Sequence, residues 1–125
     1  MQNIEKIENK GKILVYIIRN TQKIVKTHFI SPKTSNLQVG HIVYPTGSTI
    51  PKHIHKKIIR KLYRTEEVLV VLEGRCDMDI YDDQRILIAT KRVNKGDVII
   101  ILEGGHGFRV IKDLVFLEIK QGPYK

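Results

Sequence analysis

Two histidines separated by one residue, His53 and His55, follow Gly47, and after an interval of eleven residues come Glu67 and then Gly74. On an extended chain, positions i and i+2 point to the same side, so the two ring nitrogens can converge on one ion. Glu67 shares parity with Leu69 and Val71 and faces whichever side they face. A carboxylate in register with core positions needs a partner, and a cation held jointly with the two imidazoles supplies one. A third imidazole stands in Gly104-Gly105-His106-Gly107-Phe108. His106, Phe108 and Val110 share parity, so if the last two fill an interior, His106 points into it. The expectation is one metal ion on His53, His55, Glu67 and His106. Such an ion could polarise a carbonyl, assist an isomerisation or, as Fe(II), bind oxygen, with Glu67 free to act as a base.

Each of these residues also has an ordinary reading. His53 and His55 can be surface histidines, Glu67 a surface carboxylate or a partner of Arg64, and His106 a turn residue bonded to backbone. His28 and His41 have no matching partners and read as polar strand positions. The interval between His55 and Glu67 is basic, and the cluster from Lys52 to Arg64 holds Lys52, Lys56, Lys57, Arg60, Lys61 and Arg64. It reads as a solvated loop or, more sharply, as a mouth at which Arg60 or Lys56 clamps a carboxylate or phosphate, Arg offering a planar fork of donors. Arg109 has the opposite parity to His106 and is expected to point away from the site.

The elements that must position these groups are short. Runs rich in Val, Ile and Leu (Ile13 to Ile18, Val39 to Tyr44, Val68 to Leu72, Ile86 to Ala89, Val98 to Leu102, Leu114 to Ile119) alternate with turn signals such as Glu73-Gly74, Asp82-Asp83, Asn94-Lys95-Gly96, Gly104-Gly105 and Lys112-Asp113. Many short strands at regular spacing predict an all-β sandwich or barrel. Cys76, Met78 and Ile80 alternate with Asp77 and Asp79, which predicts one buried and one wet face and makes Cys76 a small core residue. Val68 to Leu72 is apolar at every position and needs cover on both faces, from another strand layer or a second subunit. A homodimer is therefore expected. Ile58, Ile59 and Leu62 fall at helix-like spacing, but the stretch Lys56 to Arg64 is short for a helix and reads as an ordered loop.

The two segments resemble the paired motifs of the cupin superfamily. Its first motif, G-x5-H-x-H-x3,4-E-x6-G, is matched by Gly47, His53, His55, Glu67 and Gly74, with an interval of eleven residues where the family has three or four. An insertion in a loop can leave its ends in place. The second motif, G-x5-P-x-G-x2-H-x3-N, is matched by Gly96 and Gly104, while Leu102 replaces the proline, His106 comes one residue early and Val110 stands at the asparagine. The resemblance covers roughly Val39 to Lys120 and implies an antiparallel β-barrel of the jelly-roll or double-stranded β-helix type. It also implies a frequent dimer, and one iron, manganese, nickel, zinc or copper ion on three histidines and a glutamate. With the tail Lys120-Gln121-Gly122-Pro123-Tyr124, the chain looks like short cupins associated with sugar and surface-polysaccharide biosynthesis, which implies a carbohydrate-related small-molecule ligand. Sugar epimerases and ketoisomerases of the same superfamily suggest a metal-free alternative, in which His55 with Tyr63 or Tyr81 moves protons beside a carbonyl. A non-catalytic ligand-binding module is the third possibility, because fold does not fix function.

Composition bounds these readings. A chain of 125 residues fits one domain. Its one cysteine allows neither an internal disulfide nor a Cys-rich zinc site. The apolar run Ile13 to Ile18 is too short for a signal-peptide core or a membrane span, so a cytoplasmic protein without a membrane role is expected. The net charge of +9 invites nucleic acid, but no regularly spaced aromatics and no recognised nucleic-acid motif accompany the basic cluster.

Overall fold

β-branched side chains fit a pleated surface better than a helix, and the chain follows that preference. The computed structural model describes residues 3–21 and 23–124, which contain strands and no helix. In chain order the strands are β1 (Ile4–Asn9), β2 (Lys12–Ile18), β3 (His28–Phe29), β4 (Gly40–His41), β5 (Glu67–Tyr81), β6 (Leu87–Asn94), β7 (Val98–Ile101) and β8 (Gly105–Lys120). The described residues hold no helix long and apolar enough to cross a membrane.

β5 is the spine of the main sheet. Along one edge it pairs first with β7 and then with β6, and along the other it pairs with β8 over almost its whole length, always antiparallel. β7 continues to β2, and β2 to β1. The sheet curls strongly into a half-barrel. A separate short ladder joins β3 to β4, placing His28 opposite His41.

The curl has a local cause. Between Val71 and Cys76 the register of β5 against β8 slips repeatedly, and bulges of this kind bend strands and increase their twist. At the centre of the slip sits Gly74, with φ of 88°. A side chain there would overlap the carbonyl oxygen of Asp113 on β8, so only glycine lets the two backbones turn together. The result is visible within β8 itself. Phe108 and Phe116 would lie about 26 Å apart on a straight strand. Here their ring centroids are 5.0 Å apart. Glu73-Gly74 and Lys112-Asp113, expected as turns, are therefore bends through which β5 and β8 continue.

Alternation sorts the side chains as expected. Cys76, Met78 and Ile80 are fully buried on the concave side, with Leu69, Val71, Ile99, Ile101, Val15 and Ile17. Asp77 and Asp79 lie outside, where Asp77 pairs with Arg92 at 2.9 Å and Asp79 with Arg109 at 2.8 Å. These cross-strand charge pairs hold β6 and β8 to the spine. The second cover required by Val68 comes from the chain itself: Ile30, Leu37 and Val39 pack on Val68, Ile100 and Ile18 on the outer face. Leu72 remains half exposed. Apolar continuity of the run thus calls for no second subunit over Val68.

Two buried acids fasten the connections. Asp97 accepts hydrogen bonds from the amides of Asn20 and Asn94 and pairs with Arg19 at 3.0 Å, while Arg19 also grips Glu5. Glu66, buried to 1% exposure, accepts from the amide of Leu37 and pairs with Arg64. That carboxylate binds the outer 30–39 segment to the start of β5.

The expected strand Val39 to Tyr44 shrinks to Gly40–His41, and from residue 42 to 66 the chain is irregular. Lys56 to Arg64 forms no helix and lies in this stretch. Replacing Gly74 by alanine should cost about 2 kcal/mol or more, by strain at positive φ and the clash with Asp113. Urea unfolding checks this; an unchanged midpoint would mean that the bend does not depend on the glycine.

Candidate functional site

The bend brings the ends of the strands together. Glu67 opens β5, His106 lies near the start of β8 and Glu118 near its end. His106 is paired across the ladder with Ile80, thirteen residues along β5 from Glu67. Yet its Nε2 stands 3.2 Å from a carboxylate oxygen of Glu67. Phe108 supports it from below, with an edge-on contact of 5.8 Å to the His106 ring, and Phe116 backs Phe108. A stack of His106, Phe108 and Phe116 thus lines the concave face and aims the imidazole at Glu67.

Glu118 is the residue that sequence reasoning missed. It lies opposite Leu69 in register, on the same face as Glu67. The available signal was the one used for Glu67: Leu114, Phe116 and Glu118 share parity, and the first two pack against the core. An acid that continues a core-facing series is a candidate wherever it occurs.

The electrostatics of this group are balanced only in part: Glu118 is half exposed and has Lys120 at 3.8 Å, whereas Glu67 has no such cation among the described residues. Burial raises the pKa of Glu67 above the ordinary carboxylate value, and a hydrogen bond and repulsion from Glu118 raise it further, against a smaller opposing pull from Lys120. Burial lowers the pKa of His106, with Glu118 opposing. Two carboxylates beside an uncharged imidazole are a receptive arrangement for a cation.

The other predicted ligands lie elsewhere. His53 and His55 stand next to each other with ring centroids 5.1 Å apart, and His53 Nδ1 lies 2.9 Å from the Pro51 carbonyl oxygen. They occupy the irregular segment and not a strand, because nothing is placed beside that segment for it to pair with. All residues from 44 to 65 are exposed. Lys56 and Arg60 are in the same segment, as is Tyr63 at 93% exposure. Tyr81 is half-buried at the end of β5, its carbonyl oxygen so close to Gly104 that a side chain there would overlap it.

The structure thus unites Glu67 with His106, and His53 with His55, but shows no hydrogen bond or ion pair between the two pairs among the described residues. Nor are three His, Cys, Asp or Glu side chains gathered to enclose an ion among those residues. Arg64 pairs with Glu66 and Glu103, not with Glu67. Phe108 packs inward as expected, whereas Val110 is 60% exposed because the open side of the half-barrel leaves it uncovered. Arg109 faces outward, as its parity required. No family model, no curated protein and no solved structure matches the chain.

Glu67 gives a pH test. Its folded pKa is raised, so the ionised form is disfavoured in the fold, and metal-free protein gains stability as pH falls from the raised folded value toward the unfolded one. Glu118→Gln removes part of the cause. The metal-free variant should therefore melt above the wild type at about pH 8, and the difference should shrink toward about pH 5. A difference that stays constant across that range would show that Glu118 does not act on Glu67.

Proposed function

We propose that the chain is a cupin-type β-barrel protein whose concave face holds one divalent transition metal, with Glu67 and His106 as ligands, Glu118 beside them, and His53 and His55 completing the set. The observation that carries this reading is the contact between the Glu67 carboxylate and His106 Nε2, 3.2 Å apart, with Glu118 on the same face. The donor set fits: imidazole and carboxylate together suit iron, manganese, nickel, zinc or copper, and the absence of further cysteines disfavours thiolate sites. When bound, the metal would supply Lewis acidity or, as iron, oxygen chemistry.

The chain's own residues supply the remaining functions. Phe108 and Phe116 keep water from the back of the site, and His106 is held in orientation by the ring beneath it. Lys56 and Arg60 bring positive charge for an anionic or carbohydrate-related small molecule bearing a carboxylate or phosphate. The single cysteine, fully buried at position 76, is in keeping with a cytoplasmic protein.

A metal-free reading has one observation in its favour. The pKa of Glu67 is raised and that of His106 lowered, and groups shifted toward neutrality suit proton transfer on a sugar or another carbonyl compound. Here the acid–base pair would be Glu67 and His106 in place of His55 with Tyr63 or Tyr81. A binding module without turnover is compatible with the same residues.

Elemental analysis of the purified chain separates these readings. About one equivalent of a transition metal is expected, falling at least tenfold in Glu67→Gln/His106→Ala and in His53→Ala/His55→Ala. Absence of metal after reconstitution with each candidate ion would refute the metal reading and leave the acid–base pair in its place.

A further inference from the structure

The basic stretch before β5 has a period that its conformation does not use. Residues 56–63 run Lys-Lys-Ile-Ile-Arg-Lys-Leu-Tyr, cationic and apolar residues in alternating pairs with no acid among them. At about 100° per residue on a helix, Ile58, Leu62, Ile59 and Tyr63 fall within an arc of about 140°, and Lys56, Arg60, Lys57 and Lys61 fill an opposite arc of about the same width. On an extended chain the same residues mix: Lys56, Ile58, Arg60 and Leu62 share one side, and Lys57, Ile59, Lys61 and Tyr63 the other. The stretch is patterned for a helix with one apolar and one cationic face, and not for a strand.

In the structure it is neither. Residues 56–62 have no regular conformation, and all of 56–63 are exposed. Ile59 and Tyr63 reach 95% and 93% exposure, so the sheet supplies no floor for these apolar side chains. Two turns of helix are too few to hold in water by themselves. Such a helix forms where an external surface supplies the apolar contact.

The C-terminal end of the stretch is fixed to the sheet. Leu62 and Tyr63 lie beside Gln121, Gly122 and Pro123, and Arg64, the next residue, is tied to Glu66 and Glu103. Tyr124, 78% exposed, stands by the same turn, with Lys120 Nζ 4.7 Å from the centre of its ring. Lys120 also reaches Glu118 at 3.8 Å. That end of the molecule therefore presents two exposed tyrosines and a further lysine beside the cationic pairs.

An anionic lipid surface fits both faces at once. Phosphate groups meet the lysines and the arginine, and the boundary between headgroups and acyl chains takes the isoleucines and the leucine. Tyr63 falls at the border of the two arcs, and tyrosine suits this depth because its ring is apolar and its hydroxyl polar. A nucleic acid would satisfy the charges alone. It would leave Ile58, Ile59 and Leu62 in water, and the stretch offers it one aromatic ring for stacking. A helix lying on a membrane needs no apolar span, so the short apolar runs of this chain do not oppose the role.

We propose that residues 56–63 are a membrane-docking segment, which folds into two turns of amphipathic helix on an anionic lipid surface and seats the protein there by the end that carries Tyr124. The inference is independent of the metal: the segment begins after His55 and contains none of the proposed ligands.

Flotation with lipid vesicles tests this on the chain as it stands. The protein is expected to float with vesicles of phosphatidylcholine containing about 40% phosphatidylglycerol and to stay behind with pure phosphatidylcholine. Flotation should weaken as salt is raised to about 0.5 M. Far-UV circular dichroism should show helix gained on the anionic vesicles. Ile58→Ser/Ile59→Ser keeps every charge and changes side chains that are already exposed, whereas Lys57→Glu/Lys61→Glu keeps every apolar group. Each is expected to lower the partition at least about tenfold, with an unchanged melting temperature as the check that the sheet is intact. Equal flotation of the wild type and the serine variant, or flotation without a gain of helix, overturns the amphipathic helix. Absence of flotation overturns the proposal, and binding of a short single-stranded RNA in its place, retained by the serine variant, would make nucleic acid the partner. Flotation of metal-free protein supports the docking segment whatever the metal content, so this inference and the metal reading fail separately.

Discussion

The close approach of β5 and β8 at Gly74 is the constraint on which the rest of this protein depends. Both strands are too long to remain straight in so small a molecule, and both bend at the point where a side chain would strike the Asp113 carbonyl oxygen. The bend makes the sheet concave, and the concavity supplies a core where the described residues hold no helix to pack against it. It also folds β8 back until Phe108 meets Phe116, and carries His106 across to Glu67. Fold and site therefore share one cause.

The site so formed is costly by itself. Glu67 loses hydration against an apolar floor and is repelled by Glu118, and Lys120, which pairs with Glu118 at 3.8 Å, offsets only part of this. Elsewhere the chain balances its acids carefully. Asp97 has Arg19 and two backbone amides, Glu66 has Arg64 and an amide, and Asp77 and Asp79 have arginines. Against that pattern Glu67 is informative, because it is largely buried and has a histidine, not an arginine or lysine, as its partner. The segment from 42 to 64, with two histidines and six Lys and Arg against no Asp or Glu, carries the opposite charge.

Much of the sheet was legible because strand alternation is a local property. Cys76, Met78 and Ile80 face inward and Asp77, Asp79 and Arg109 outward for reasons contained in a few consecutive residues. Glu67 was legible on the same ground, as a carboxylate in register with Leu69 and Val71. Glu118 carried the same signal, but it lay in a run read only as apolar. What could not be read locally depends on residues distant in sequence. Glu73-Gly74 looks like a turn until Asp113 is beside it, and the cover over Val68 comes from a segment with no strand signal of its own. His53 and His55 were expected on a sheet, yet an extended segment becomes a strand only when an edge lies alongside it.

In the proposed site the two halves of the donor set, one on the curled sheet and one in the 42–64 segment, meet around a single ion. X-ray absorption at the metal edge of the loaded protein measures this most directly, since it counts the imidazoles bound. Three imidazoles with carboxylate oxygen, from His53, His55, His106 and Glu67, is the predicted result; one imidazole, from His106 alone, would contradict it.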